Sequence, residues 1–168
     1  MRKLMWLTGV LLLLAGSAIA QDTPKAEVFA GGSYIRSDGA NFRGWNVSVA
    51  GNLKDWNDRL GIVGDFSAHY SPPANVRIYT YTFGPQLSYR KNTKLVPFAH
   101  TLFGGARVGG GGFGINGFAA NLGGGIDWVV HQNLGIRLIQ ADALITRFAG
   151  STSTDARLSF GVVFRFGK

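Results

Sequence analysis

The sequence has no cysteine, so it can build no disulfide framework and cannot carry the lipid anchor of a lipoprotein behind a signal segment. Charge is scarce at 15% of residues and forms no run, so no nucleic-acid partner is expected. Long apolar stretches are equally scarce. The one candidate, Met5 to Ala15, is shorter than the roughly 20 apolar residues of a spanning helix. The three histidines, His69, His100 and His131, have no acid or thiol at metal-ligand spacing, which leaves no expected metal or cofactor site.

What is present begins with an export signal. Arg2 and Lys3, the apolar run, and Ala18-Ile19-Ala20 form the basic, greasy and small-residue parts of a cleavable segment over residues 1–20. Residues 21–168 then make one domain, starting at Gln21, with a net charge of +6 from fifteen basic and nine acidic residues. With 25 Gly, 12 Phe, 5 Tyr and 4 Trp, the chain is rich in strand formers and turn formers.

The domain repeats one theme, about ten residues of alternating polarity followed by a turn cluster. In Gly44 to Lys54, Trp45, Val47, Val49 and Leu53 share one parity while Asn46, Ser48, Asn52 and Lys54 share the other. Leu60 to Tyr70, Ile78 to Tyr89, Phe118 to Val130 and Arg157 to Phe166 behave alike, and Ala26 to Arg36, Leu95 to Arg107 and Leu134 to Leu144 complete a set of eight. Pro85 lacks a ladder N–H and suits a bulge. In Leu134 to Leu144 the parity slips between Arg137 and the pair Gln140 and Asp142, which predicts a second bulge.

A secreted sandwich also alternates, but its polar face is usually rich in Lys, Glu and Thr. Here that face holds Gly, Ser, Asn and Ala with isolated charges, as a cramped barrel interior requires. The greasy face places rings near strand ends, at Tyr34, Trp45, Tyr70, Tyr79, Tyr89, Trp128 and Phe166, the depths of interfacial girdles. The expected fold is therefore all-β, an eight-stranded antiparallel up-and-down transmembrane barrel. An even strand number leaves both termini in the periplasm of a Gram-negative cell, with short loops over Ser37 to Arg43, Ser71 to Val76, Val108 to Gly117 and Ile145 to Ala156 outside.

The final segment, Ser159-Phe160-Gly161-Val162-Val163-Phe164-Arg165-Phe166, resembles the signal read by the barrel-assembly machinery, although the chain continues through Gly167 and Lys168. The resemblance implies that Ser159, Gly161, Phe164 and Phe166 address the chain to that machinery and to periplasmic chaperones. The whole domain, and Phe118 to Asp127 in particular, is similar to the OmpA/OmpX-like family of eight-stranded barrel domains. It covers the barrel only, so no peptidoglycan-binding domain is expected.

An eight-stranded barrel is just wide enough to be filled by its own side chains. The predicted inward charges are Lys54, Asp65, Asp127, Arg157 and Arg165, with Glu27, Arg107 and Arg137 as further candidates. Charges of both signs in a low-dielectric lumen must pair, and the expected result is a plugged barrel. Its expected role is structural or interactive, in membrane integrity or surface contact, as a monomer among outer-membrane lipid and lipopolysaccharide. Two alternatives stay open. One is an ion- or solute-permeable barrel. The other is a lipid-modifying enzyme built on His69 and Ser71, which is opposed by the lumenal parity of His69 and by Pro72-Pro73 directly after the pair. The Gly104 to Gly117 stretch formally contains G-x-G-x-x-G, but no helix pattern follows, and a flexible surface loop is expected there.

Overall fold

The computed structural model describes residues 24–37, 40–53, 59–71, 75–91, 94–110 and 112–167. The predicted signal segment and Lys54 lie outside them. Eight strands run in chain order: β1 (Ala26–Ser37), β2 (Ala40–Asn52), β3 (Leu60–Ser71), β4 (Val76–Ser88), β5 (Leu95–Gly110), β6 (Phe113–His131), β7 (Leu134–Phe148) and β8 (Ser151–Phe166). Each pairs antiparallel with the next, and β8 returns to pair with β1, so the sheet is a closed barrel. Closure matters physically because an unpaired backbone amide in hydrocarbon costs several kcal/mol, and a closed ladder leaves no edge.

The alternation written in the sequence becomes the two faces of the wall. Val49, Ile62, Phe66, Leu122, Phe160 and Phe164 point outward and are exposed, Phe160 by 64%. Asn46, Ser48, Asp65, Ser67, Asn121 and Arg157 point inward and are buried. Such an inverted protein, greasy outside and polar inside, needs an apolar solvent around it. Of the rings expected in girdles, Tyr34 and Tyr70 flank Arg43 in one cross-strand row near the hairpin end, and Tyr89, Trp128 and Phe166 lie near the opposite end, while Phe66, Phe83, Phe103 and Phe160 fill the outward face between them.

The stagger follows from the register. The row Val28, Val49, Gly64, Phe83, Phe103, Ala120, Ile145, Thr154 reaches β8 ten residues from Phe164, the residue that pairs Val28 directly. A shear of ten over eight strands makes every cross-strand row climb toward the hairpin end by just over one residue per strand.

The bulge predicted in β7 is present. Register shifts occur between Ile126 and Asp127 on the β6 side and between Arg137 and Gln140 on the β8 side. Leu138 and Ile139 consequently both face outward, each 49% exposed, while Arg137 and Gln140 both face inward. At Pro85 there is no bulge. The β4–β5 ladder skips Gly84 and Pro85, then resumes in the same register from Phe83 opposite Phe103 to Gln86 opposite His100. Proline's missing donor removes a rung without requiring an extra residue.

The loops predicted at the hairpin end are largely strand. β5 and β6 continue through most of the glycine-rich stretch, which is therefore ladder rather than flexible loop, and β7 and β8 meet at Ala149 and Gly150. Both of those residues have positive φ, 46° and 90°, the geometry of a tight two-residue hairpin. Alternation is hard to read there because glycine and small Ser and Thr side chains give little contrast of polarity between the two faces. A pattern-based reading loses such strands at that point.

Candidate functional site

The lumen is packed in layers from the terminal end upward. At the terminal mouth, Arg90 reaches back from the turn after β4 and its Nη2 donates to Glu27 Oε2 at 2.7 Å and to Asn52 Oδ1 at 3.2 Å. Arg165 on β8 stands 3.0 Å from the other oxygen of Glu27, an ion pair whose Nε is not aimed for a hydrogen bond. Next comes Arg137, whose Nε and Nη2 donate to Asp127 at 2.8 and 3.1 Å. Its guanidinium lies between the rings of Phe29 and Phe98, 4.3 and 4.2 Å from their centroids. That arrangement combines a bidentate carboxylate contact with two cation–π faces.

Gln140 links this layer to the one above, accepting from Arg137 Nη1 at 2.6 Å and donating to Asp142 at 2.8 Å. The bulge makes this link possible, because without it Arg137 and Gln140 would point to opposite faces. At the centre Arg157 is completely buried. Its Nη1 donates to Asp65 at 2.8 Å, and its Nε and Nη2 donate to a single oxygen of Asp142 at 2.9 and 2.7 Å. The other oxygen of Asp142 meets His100 Nε2 at 2.9 Å, and Asn46 donates to Asp65 at 2.8 Å. Gly123 faces this centre. A Cβ there would strike the Asp142 carboxylate and the Ala141 carbonyl, so only glycine leaves room for the network.

Above the charges, His69 Nε2 and Ser33 Oγ are 2.8 Å apart, and Ser33 is 2.9 Å from Ser159. A cap of Ile35, Phe42, Ala106, Ala119 and Leu144 then closes the lumen under the hairpin end.

Four of the five residues assigned to the lumenal network by sequence, Asp65, Asp127, Arg157 and Arg165, are buried inside, as are Glu27 and Arg137. Lys54 is outside the described residues. Arg107 corrects the expectation: it faces outward and is exposed, because its odd parity on β5 opposes the inward set of Val96, Phe98, His100 and Leu102. Asp142, His100, Gln140 and Arg90 were not foreseen as network members. Asp142 was legible once the bulge was placed, whereas no periodicity marks Arg90, a turn residue folded back under the barrel. In β8, Ser159 points inward, Gly161 opposes Gly31 of β1, and Phe164 and Phe166 face outward. His69 and Ser71 are both buried in the lumen, away from surrounding lipid.

No protein-family model matches the sequence, and no curated protein matches it. Solved structures do resemble its backbone. Neisserial surface protein A (NspA) superposes with a TM-score of 0.63 at 14% identity, over 84% of this chain and 96% of that one. This is the fold of the small eight-stranded outer-membrane barrels. The N-terminal β-barrel domain of Pseudomonas aeruginosa OprF has a TM-score of 0.56 at 12% identity, covering 85% of this chain and all of that domain. The outer membrane protein OprG of the same organism has a TM-score of 0.54 at 9% identity, covering 88% and 98%. At such identities the likeness is one of fold.

Proposed function

We propose that the chain is a monomeric outer-membrane barrel whose lumen is closed by its own ion pairs, and that it serves membrane integrity or surface contact rather than transport or catalysis. The single observation that carries this reading is the complete burial of Arg157 between Asp65 and Asp142, under an apolar cap. A conducting path through the lumen would have to wet these groups. The start of β1 and the end of β8 lie together, Lys25 N donating to the Gly167 carbonyl at 2.8 Å, and we assign that end to the periplasm, with the four hairpins facing outward from the cell. A catalytic role for His69 is disfavoured by its place: His69 and its partner Ser33 are buried inside the lumen, whereas lipid acyl chains lie outside the wall.

Recording single channels from the purified barrel in planar bilayers tests the closed lumen. The expected trace is flat, and steady steps in the nanosiemens range would overturn the proposal. A lipid A mass spectrum from cells with and without the protein, and with His69→Ala, is expected to show no acyl loss. For biogenesis we propose that Ser159, Gly161, Phe164 and Phe166 form the assembly address. Phe166→Ala is then expected to leave protein with periplasmic chaperones, and undiminished insertion would contradict that role.

A further inference from the structure

The outward face of the barrel carries a second sorting of charge. Among the described residues every carboxylate, namely Glu27, Asp65, Asp127, Asp142 and Asp155, is buried. Five arginines, Arg36, Arg43, Arg77, Arg107 and Arg147, are exposed at outward parity near the hairpin ends of β1, β2, β4, β5 and β7. None of the five takes part in an ion pair among the described residues.

They also share one level. Tyr34, Arg43, Tyr70 and Arg77 form one cross-strand row, Tyr79 pairs with Arg107, and Phe118 pairs with Arg147. When the climb of just over one residue per strand is removed, the five Cα positions fall within about three residues of one another, roughly 6 Å along the barrel axis. The arginines therefore interleave with the upper ring of tyrosines, at the depth where hydrocarbon gives way to headgroups. Two of them are brought together further: Arg77 and Arg107 line one open cleft of about 410 Å³ with Tyr79, Asn75 and the glycine backbone of the β5–β6 hairpin. The Arg107 guanidinium lies over Gly114 of the neighbouring strand, about 3.0 Å from where a Cβ would stand.

We infer that this arginine belt, centred on the Arg77–Arg107 cleft, binds the phosphate groups of a bisphosphorylated saccharolipid of the outer leaflet, the chemistry of lipid A. Guanidinium is suited to this because its planar fork meets phosphate oxygens in pairs and keeps its charge at any accessible pH. Five cations at headgroup level, with no outward-facing carboxylate among the described residues, attract an anionic lipid shell. A headgroup carrying two phosphates engages neighbouring arginines together, which raises its apparent affinity over a lipid with one. The inference rests on the proposed orientation, with the hairpin end in the outer leaflet.

The test uses the full barrel, refolded in detergent and checked for heat-modifiable migration, so that a failure to fold is read separately from a failure to bind. Retention of bisphosphoryl lipid A, its dephosphorylated counterpart and phosphatidylglycerol is then compared by native mass spectrometry. Bisphosphoryl lipid A is expected to be held at least tenfold more tightly than the dephosphorylated form and several-fold more tightly than phosphatidylglycerol. Arg77→Gln/Arg107→Gln should lose most of that preference while still folding, and Arg59→Gln, at the opposite end, should keep it. Equal retention of the three lipids, or an unchanged preference in the double variant, would overturn the inference. A conducting lumen would overturn the proposed function and leave this result untouched.

Discussion

Two of the lumen's ion-pair clusters, at its centre and at its terminal mouth, have similar composition and different standing. At mid-height Arg157 and its two carboxylates have no solvent-exposed side-chain surface beyond 1%. At the terminal mouth Arg90 keeps 13% of its side chain exposed, and Arg165 meets Glu27 without a hydrogen bond from its Nε. The difference shows how one interaction type changes value with depth. A buried pair is a weak net stabiliser compared with an apolar filling, yet losing one member leaves a bare charge in low dielectric. The mouth cluster is nearly as buried, with Glu27 at 7% and Arg165 at 2% exposure, but its charge is shared among three groups and Arg90 reaches solvent, so losing Arg90 still leaves Glu27 a cation.

Removing the bulge breaks the comparison most severely. Deletion of Leu138 is expected to turn either Arg137 or the Gln140–Asp142 segment onto the lipid face, dismantling the central network while sparing the mouth. No heat-modifiable barrel should be recovered. Arg157→Met comes next, with a loss of about 3–5 kcal/mol as Asp65 and Asp142 are left facing one another unneutralised. Denaturant unfolding of the refolded barrel in vesicles measures it. The contrast sharpens in Arg157→Met/Asp65→Val/Asp142→Val, where an apolar filling should recover more than half of that loss.

At the mouth the effects shrink. Glu27→Gln removes the charge shared by Arg90 and Arg165 and is expected to cost about 1–2 kcal/mol, since neutral amide contacts replace charge-assisted ones. Arg90→Ala should cost about 1 kcal/mol, since Arg165 still faces Glu27, and 1 M salt should narrow the difference from the parent because Arg90 reaches solvent. The same salt should hardly change the cost of Arg157→Met, and equal salt sensitivity at both sites would refute the distinction.

Most of the wall was legible in the sequence because strand period and side-chain facing are coupled one to one. Wherever one face meets lipid and the other the lumen, alternation such as Leu158, Phe160, Val162 and Phe164 against Arg157, Ser159 and Arg165 can be read directly. The slip at Arg137 was readable for the same reason. The extensions of β5 to β8 were not, since glycine and Ser-Thr segments carry little contrast of polarity between the two faces. The partners of each charge were also hidden. Parity says that Asp65 and Arg157 point inward, but their contact spans the lumen between β3 and β8, and only the closed register brings them together. Arg90 illustrates the remaining gap, because a turn residue has no parity to read.

That cross-lumen contact has a consequence for how the barrel is made. Asp65 and Arg157 are 92 residues apart in the chain, and the β1–β8 seam joins its first and last strands. Pairing at such separation is slow to form, since the intervening chain must be ordered first. While β8 is absent, Asp65 and Asp142 lack their shared cation. The last strand to be synthesised therefore brings with it the charge that neutralises its predecessors, so an unfinished sheet has little to hold it shut and a finished one is fastened from within.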